Sequence, residues 1–498
     1  MGILNSSERI WRDRAFVVGL TAKLLIVIFV APDLQSQWFL PFLQATIQHP
    51  SYSPWTSFLE AGGDSLAFPY GITMLAAHLP TVFLGTLVDA WVGGHEFAGI
   101  GFRLSLLAAD LVVLFMILDL VGKQQKAVIW LYWYSPIAIY VTYWHGQTDV
   151  VPVALLLAAL VALKRFRPIM AGVSVGFAVS AKLSMLLTVP FLLVYLFSNR
   201  RFRHLFTPFT VAFMAILIFF QLPFMFTAGF QQMVMGSPEI DKIYRLAVSL
   251  SDDVAIFLTP AVYLLTLYAT WRVGRMNLEL LLQVIGVAFF VVVLMTPASV
   301  GWFIWTVPFL AVHVMRAGTV SIVLVTLFSV MLTTYHFAFS SGASLAFSGT
   351  FGPLWDVDLT NMSNLAQIKS LFMTVITSVG VMLAVQMYRE GIGQNDFYRL
   401  RRKPLVLALG GDEGMVKREL GEVLGGLFGT QSVANLNTDD YRLWESSAPM
   451  WSAVTPWNPR STDLYKFSED VMSLVAGKPV YCRRYSSETG RFSSVQRV

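Results

Sequence analysis

Long apolar runs recur along the chain from Phe16 to Tyr388, parted by short polar or basic stretches. A hydrocarbon core about 30 Å thick takes roughly 20 apolar residues per helix, so this block pattern predicts a polytopic bundle of membrane-crossing helices. The first run, about Phe16 to Val30, follows Arg9, Arg12 and Arg14 and has no small-residue cleavage site after it; it reads as a permanent anchor. Basic clusters stay cytoplasmic while short loops without Lys or Arg are translocated. Such clusters stand at Arg9 to Arg14, Lys123 to Lys126, Lys164 to Arg167 and Asn199 to Arg203. They place Asp33 outside and make the run Gly101 to Val121 travel inward. The apolar segment Phe68 to Val92, with Gly71, Pro80, Gly85, His78 and Asp89, then has both ends outside. It is expected to form interfacial helices in one long outer loop.

Beyond it the crossings alternate. Ala127 to Tyr143 runs out, WHGQTD turns, and Val150 to Leu163 returns; Ile169 to Ser180 and Met185 to Phe197 form a short hairpin. Later runs are Phe206 to Phe226, Val254 to Trp271, Leu278 to Leu294, Trp302 to Val314, Thr319 to Phe339 and Ser370 to Tyr388. The expectation is roughly twelve crossings with both termini cytoplasmic, in a bacterial plasma membrane. Composition agrees: of 498 residues, 56% are hydrophobic and 13% charged, and mean hydropathy is +0.63, far from the soluble norm. The net charge of +5 reflects Lys and Arg at helix ends and calls for no nucleic acid. A single cysteine, Cys482, excludes an intramolecular disulfide.

At Arg389 the pattern changes. Residues 389–404 form a charged linker, and 405–498 read as a small α/β segment in which LVLALGG is a short buried strand and MVKRELGEVLGGLFG a helix. Residues 1–388 are the membrane domain.

Chemistry is sought where polar groups interrupt hydrocarbon. Asp33 lies just past the first run and is followed by Gln35, Gln37 and Trp38, then PSYSPW and FPYG. That aromatic and hydrogen-bonding set suits a sugar ring, although an acid past a helix end is also ordinary solvated loop. His145, Gln147 and Asp149 share one turn between apolar spans, a costly placement unless they are used or paired; Thr148 or Asp149 reads equally as a helix cap. Lys182, in AVSAKLSML, suits an anionic headgroup or simple snorkelling. Arg103 and Arg245 belong to the same class. Asp110, in mid-span, has no partner that the sequence names.

Taken in order, Asp33 after the first helix, a long outer loop closing in Phe68-Pro69-Tyr70-Gly71, SPIAIYVTYWHGQTD, and Lys182 near a later outer turn resemble the GT-C glycosyltransferases. These polyprenyl-phosphate-sugar-dependent enzymes include the glucosyltransferases of asparagine-linked glycosylation and the mannosyltransferases of GPI-anchor assembly. The resemblance spans Phe16 to Val314. It implies that Asp33 is the catalytic base, that His145 and Gln147 lie beside the donor, and that Gln37, Trp38, Pro69, Tyr70, Asp149, Lys182, Trp302 and Trp305 contact substrate. TPASVGWFIWTVP stands where the glucosyltransferase branch has a His-Glu-Lys cluster, which is more like the GPI mannosyltransferases.

The tail resembles, in order, the phosphate loop, the Asp-Asp-Tyr segment and the Asn-Pro to Gly-Lys segment of uridine kinases and phosphoribulokinases. In GxxxxGK[ST] backbone amides cradle phosphate, the lysine neutralises it and the hydroxyl binds Mg²⁺. Gly411, Lys417, Asp439 and Asp440 match, but Val416 and Arg418 replace the second glycine and the hydroxyl. ATP and Mg²⁺ binding is therefore doubtful, and a degenerate P-loop or pseudokinase role is expected. The leading expectation is an integral-membrane hexosyltransferase that moves sugar from polyprenyl phosphate to a lipid or glycan acceptor outside, by inversion, with no cofactor or metal required. A lipid or sugar transporter or flippase, and a membrane-tethered kinase, are the alternatives.

Overall fold

The computed structural model describes residues 10–122, 125–199, 202–339, 343–346, 364–395, 405–409, 415–428, 433–455, 458–476 and 478–497. Two compact units divide the chain, 1–395 and 396–498. Among the described residues of the first unit, six helices are long and apolar enough to cross a membrane: Ile72–Val92, Phe97–Val121, Arg203–Phe220, Leu278–Met295, Thr319–Phe339 and Leu365–Gly393. Shorter apolar helices, such as Val150–Lys164 and Pro168–Ala181, complete the bundle. Composition and these helices together make the chain an integral membrane protein.

The first helix, Arg14–Phe29, is capped by Asp13, which accepts the Ala15 amide at 2.9 Å. It lies antiparallel to Phe97–Val121, because Arg103 Nε donates to the Val27 carbonyl near one end and Trp11 meets Phe115 near the other. Between these contacts Lys23 Nζ sits 2.7 Å from Asp110 Oδ2, both residues almost wholly buried. The Tyr132 and Tyr143 hydroxyls each donate to Asp110 at 2.6 Å, and Lys23 lies 3.4 Å from the centre of the Trp133 ring. Asp110 thus has three partners drawn from two other segments, and Lys23 is the charge that offsets it. Arg103 ties the same helix pair together through its Nε.

One expectation fails in its form. Ile72–Val92 is a single continuous helix, unbroken by Pro80, where several helices were expected, and it packs antiparallel along Phe97–Val121. A Cβ on Gly85 would meet the Phe97 carbonyl and one on Gly101 the Thr81 carbonyl, so two glycines let the backbones touch. His78 Nδ1 then meets Ser105 Oγ at 2.5 Å, and Asp89 accepts the Phe97 and Ala98 amides that open the neighbouring helix. Packing at these glycines outweighs the weak helix propensity of Gly and Pro.

The Ala127 to Tyr143 run is not one helix. Pro136 removes a donor, Ser135 caps the turn after it, and wide helical turns at Ile129–Trp133 and Tyr140–Trp144 flank the break. Val150–Lys164 runs back beside Phe97–Val121, where Arg165 pairs with Asp119 at 2.8 Å. Val30–Pro32 pairs antiparallel with Ala343–Leu345, a long-range ladder that pins the chain immediately before Asp33. Leu365–Gln394 carries Arg389 and Glu390, so the charged stretch opens as helix.

In the second unit, 405–409 forms no regular element and joins no sheet among the described residues, and Leu405 and Leu407 are exposed rather than buried. The unit holds the helices Met415–Phe428 and Leu464–Val475 and a hairpin of Tyr481–Ser486 with Arg491–Arg497.

The Lys23→Met variant should lower stability by about 3 kcal/mol or more, since removing one partner leaves a buried charge uncompensated. Thermal unfolding in detergent checks this; a change below about 0.5 kcal/mol would mean that the pair carries no structural load.

Candidate functional site

The chain returns repeatedly to the end of the bundle that carries Asp33. Gly146 has φ +78, and a Cβ there would lie 2.7 Å from Pro32 Cβ and from Gln35. The turn after Trp144 therefore needs glycine in order to reach the start of the Asp33 segment, and Gln35 Nε2 donates to the Gly146 carbonyl at 3.3 Å. Gly71 N donates to the Ala181 carbonyl at 3.1 Å, which brings Tyr70 and Lys182 side by side.

These joins build a compact polar cluster. Lys182 Nζ lies 2.7 Å from both oxygens of the fully buried Asp149 carboxylate. Trp305 Nε1 donates to Asp149 Oδ2 at 2.9 Å, and Gln147 Nε2 donates to the Tyr70 oxygen at 2.9 Å. The rings of Tyr70, Trp302 and Trp305 stand 5.3, 5.9 and 5.3 Å from the ammonium. Trp302 and Trp305 stack on each other at 5.1 Å. An ammonium has three N–H groups, and the carboxylate's two oxygens lie close together on one side of it, so at least one donor is left for a ligand oxygen in the cavity that Lys182 lines. Asp149 is accordingly an orienting group for Lys182 and Trp305 and lies behind the wall. It does not cap the helix that begins at Val150 with its side chain.

The cavity measures about 780 Å³, and most of its wall is aliphatic or aromatic. Of the residues singled out in the sequence, Trp38, Pro69, Tyr70, His145, Gln147, Lys182, Trp302 and Trp305 line it. Asp33 opens the helical segment that leads into Gln35–Phe39, and its neighbour Leu34 lines the cavity. Its carboxylate is half-buried, and burial alone pushes its pKa up, with no hydrogen bond or ion pair to it among the described residues. Gln37 is exposed and off the wall, and Arg245 is exposed in the loop beyond it. Burial pushes the His145 imidazole down to about 4, so near neutral pH it is an uncharged hydrogen-bonding group. Burial first and the Asp149 charge second push the Tyr70 hydroxyl up, which keeps it protonated.

Sequence reasoning missed part of the wall. Ser237, Glu239 and Tyr244 come from the loop after the Gln231–Met235 turn, and Thr259 and Tyr263 from the helix Leu258–Val273. The legible signal was the polar run SPEIDK between apolar spans. Groups of His, Cys, Asp and Glu able to hold a metal are not found among the described residues.

In the tail, Gly411 and the side chain of Lys417 lie outside the described residues. Asp439 is bound by Arg442 at 2.7 Å, and buried Asp440 accepts the Tyr485 amide at 2.8 Å and pairs with Arg484 at 3.2 Å. Both acids are tied into the fold of their own unit.

Among solved structures, the crystal structure of ArnT from Cupriavidus metallidurans in the apo state aligns with this chain at 11% identity and a TM-score of 0.39, covering 77% of this chain and 76% of that one. No protein-family model and no curated protein matches the sequence. The functional reading therefore rests on the residues.

Trp305→Phe should keep the aromatic wall but remove one hydrogen bond to a buried carboxylate, costing about 1.5–3 kcal/mol of stability. Lys182→Met should cost more, because Asp149 is left without its counter-charge. Denaturation midpoints of the two variants check the order; equal and negligible losses would contradict it.

Proposed function

We propose that the chain is a GT-C-type glycosyltransferase that moves a hexose from a polyprenyl-phosphate donor to a hydroxyl acceptor on the extracytoplasmic side. The observation that supports this most is a single one: a large apolar, aromatic cavity has a clamped lysine in its wall, and a half-buried acid without a partner among the described residues immediately precedes the wall residue Leu34. A lipid-linked sugar phosphate has the matching parts. Its isoprenoid suits the aliphatic wall, its sugar the faces of Trp302 and Trp305, and its phosphate the free donor of Lys182. In this reading Asp33 takes the proton of the acceptor hydroxyl, the oxygen attacks the anomeric carbon, and lipid phosphate leaves with inversion. Burial raises the basicity of Asp33, as a general base requires. Gln147 and Tyr70 hold one another beside the donor. The membrane unit would cross roughly twelve times with both termini cytoplasmic, so that basic clusters stay inside.

The transporter reading has less support. Its best candidate charges, Lys23 and Asp110, are locked to each other and to two tyrosines at a helix interface, where an alternating site would need groups free to exchange partners. For the tail we propose a structural or regulatory role without nucleotide turnover, because Asp439 and Asp440 are committed to arginines.

Asp33→Asn should lower transfer about 10²- to 10⁴-fold, measured with radiolabelled polyprenyl-phosphate mannose or glucose in membranes. Near-normal turnover would place the base elsewhere, with Asp64 the next candidate. The wild-type rate should fall on the acid side with an inflection above the ordinary carboxylate range, because the base works ionised and burial raises its pKa. If the same limb persisted in Asp33→Asn, its origin would be another group. Thr148 is fully buried and unsuited to labelling, whereas Asp252 is exposed at a loop tip. In a Cys482→Ser background, Asp252→Cys should react with an impermeant thiol reagent from outside; reaction only after permeabilisation would invert the topology.

A further inference from the structure

The polar side chains around the cavity differ in what they are already bound to. Thr259 Oγ1 donates to the Met295 carbonyl at 3.0 Å, and the Tyr263 hydroxyl to the Leu187 carbonyl at 2.8 Å. Those groups are spent on the fold. Ser237 is buried and Glu239 is only partly so, its side chain 40% exposed, but Ser237 Oγ and Glu239 Oε2, both on the wall, are themselves shielded and have no partner among the described residues. Glu239 does have a partner on its other oxygen, Oε1, which lies 2.5 Å from Lys242 Nζ. That ion pair fixes the direction of the carboxylate, with the second oxygen left over. Glu239 and Tyr70 line the same cavity.

A buried polar atom without a hydrogen bond is costly, and a carboxylate oxygen more so. Two such atoms, two residues apart in the chain, suit a ligand that both donates and accepts hydrogen bonds. A sugar does this with neighbouring hydroxyls, and the stacked Trp302 and Trp305 rings supply an apolar face for such a ring in the same cavity. The Lys182 side of the wall suits the phosphate instead.

We propose that Ser237 and Glu239 form the subsite that binds hydroxyl groups of the donor's sugar, with Glu239 accepting and Ser237 completing the pair. The proposal rests on the glycosyltransferase reading above and adds to it which residues distinguish a sugar-bearing lipid phosphate from the bare lipid phosphate. Glu239 contacts the sugar away from the bond that breaks, so its loss acts on donor affinity more than on the chemical step.

The test uses the full chain in detergent and two ligands, polyprenyl phosphate and polyprenyl-phosphate mannose, with the glucose form as a third. Binding is followed by the fluorescence of the cavity tryptophans. The wild type should bind one of the sugar forms at least about 10-fold more tightly than bare polyprenyl phosphate, as expected for hydrogen bonds to a charged group. Glu239→Ala should abolish most of that difference while leaving affinity for polyprenyl phosphate unchanged, Glu239→Gln should retain part of it, and Ser237→Ala should reduce it. KM should rise more than kcat falls. If Glu239→Ala weakened both ligands equally, or left the sugar increment intact, the subsite would be overturned while the function still stood. If the wild type neither preferred a sugar form nor transferred from it, the function would fall, and the subsite with it.

Discussion

The site depends on burying one charge against another. Lys182 and Asp149 come from two helix ends far apart in sequence and meet at 2.7 Å inside a wall of aromatic rings. Neither charge would tolerate that setting alone, since the desolvation of an isolated ion costs several kcal/mol. The pairing therefore specifies where the chain must turn: Gly146 allows the close return, the Trp305 indole takes up part of the carboxylate's bonding capacity, and Gly71 docks on Ala181 to bring in Tyr70. A site assembled this way is pre-organised, which is what a clamp for a transferring group needs.

Two buried lysine–aspartate pairs divide the labour. Lys23 with Asp110 joins the first helix to Phe97–Val121 and is closed off by two tyrosine hydroxyls and a tryptophan face. Lys182 with Asp149 is closed on one side only, and a side chain 13% exposed at Lys182 opens to the cavity. The same chemistry is structural in the first place and available to a ligand in the second, and the difference is the number of partners already present.

The helical bundle was legible because long apolar blocks leave few alternatives, and the polar interruptions at Asp33, His145–Asp149 and Lys182 stood out against hydrocarbon. The structure brings most of them to one cavity. What could not be read was pairing across distance. Asp110 pointed to no partner because Lys23 sits in another span, and nothing in Ala343–Leu345 announces that it pairs with Val30–Pro32. Periodicity misjudged Phe68 to Val92, where Pro80 and the glycines suggested breaks, yet Gly85 and Gly101 serve close packing of a continuous helix. Glu239 was passed over because a charged residue in a loop between apolar runs looks like solvated surface until the wall it belongs to is seen. In the tail, LVLAL has the composition of a central strand, but without neighbouring strands among the described residues it remains exposed.

The central claim is that the cavity holds a lipid-linked sugar and releases it by direct displacement. The most direct measurement follows the anomeric carbon. Membranes containing the full chain are given polyprenyl-phosphate hexose of known configuration, and the linkage in the product is determined by NMR or by linkage-specific glycosidases. The account predicts transfer with the configuration inverted. A product of retained configuration, or label that crosses the membrane still attached to its lipid, would contradict it.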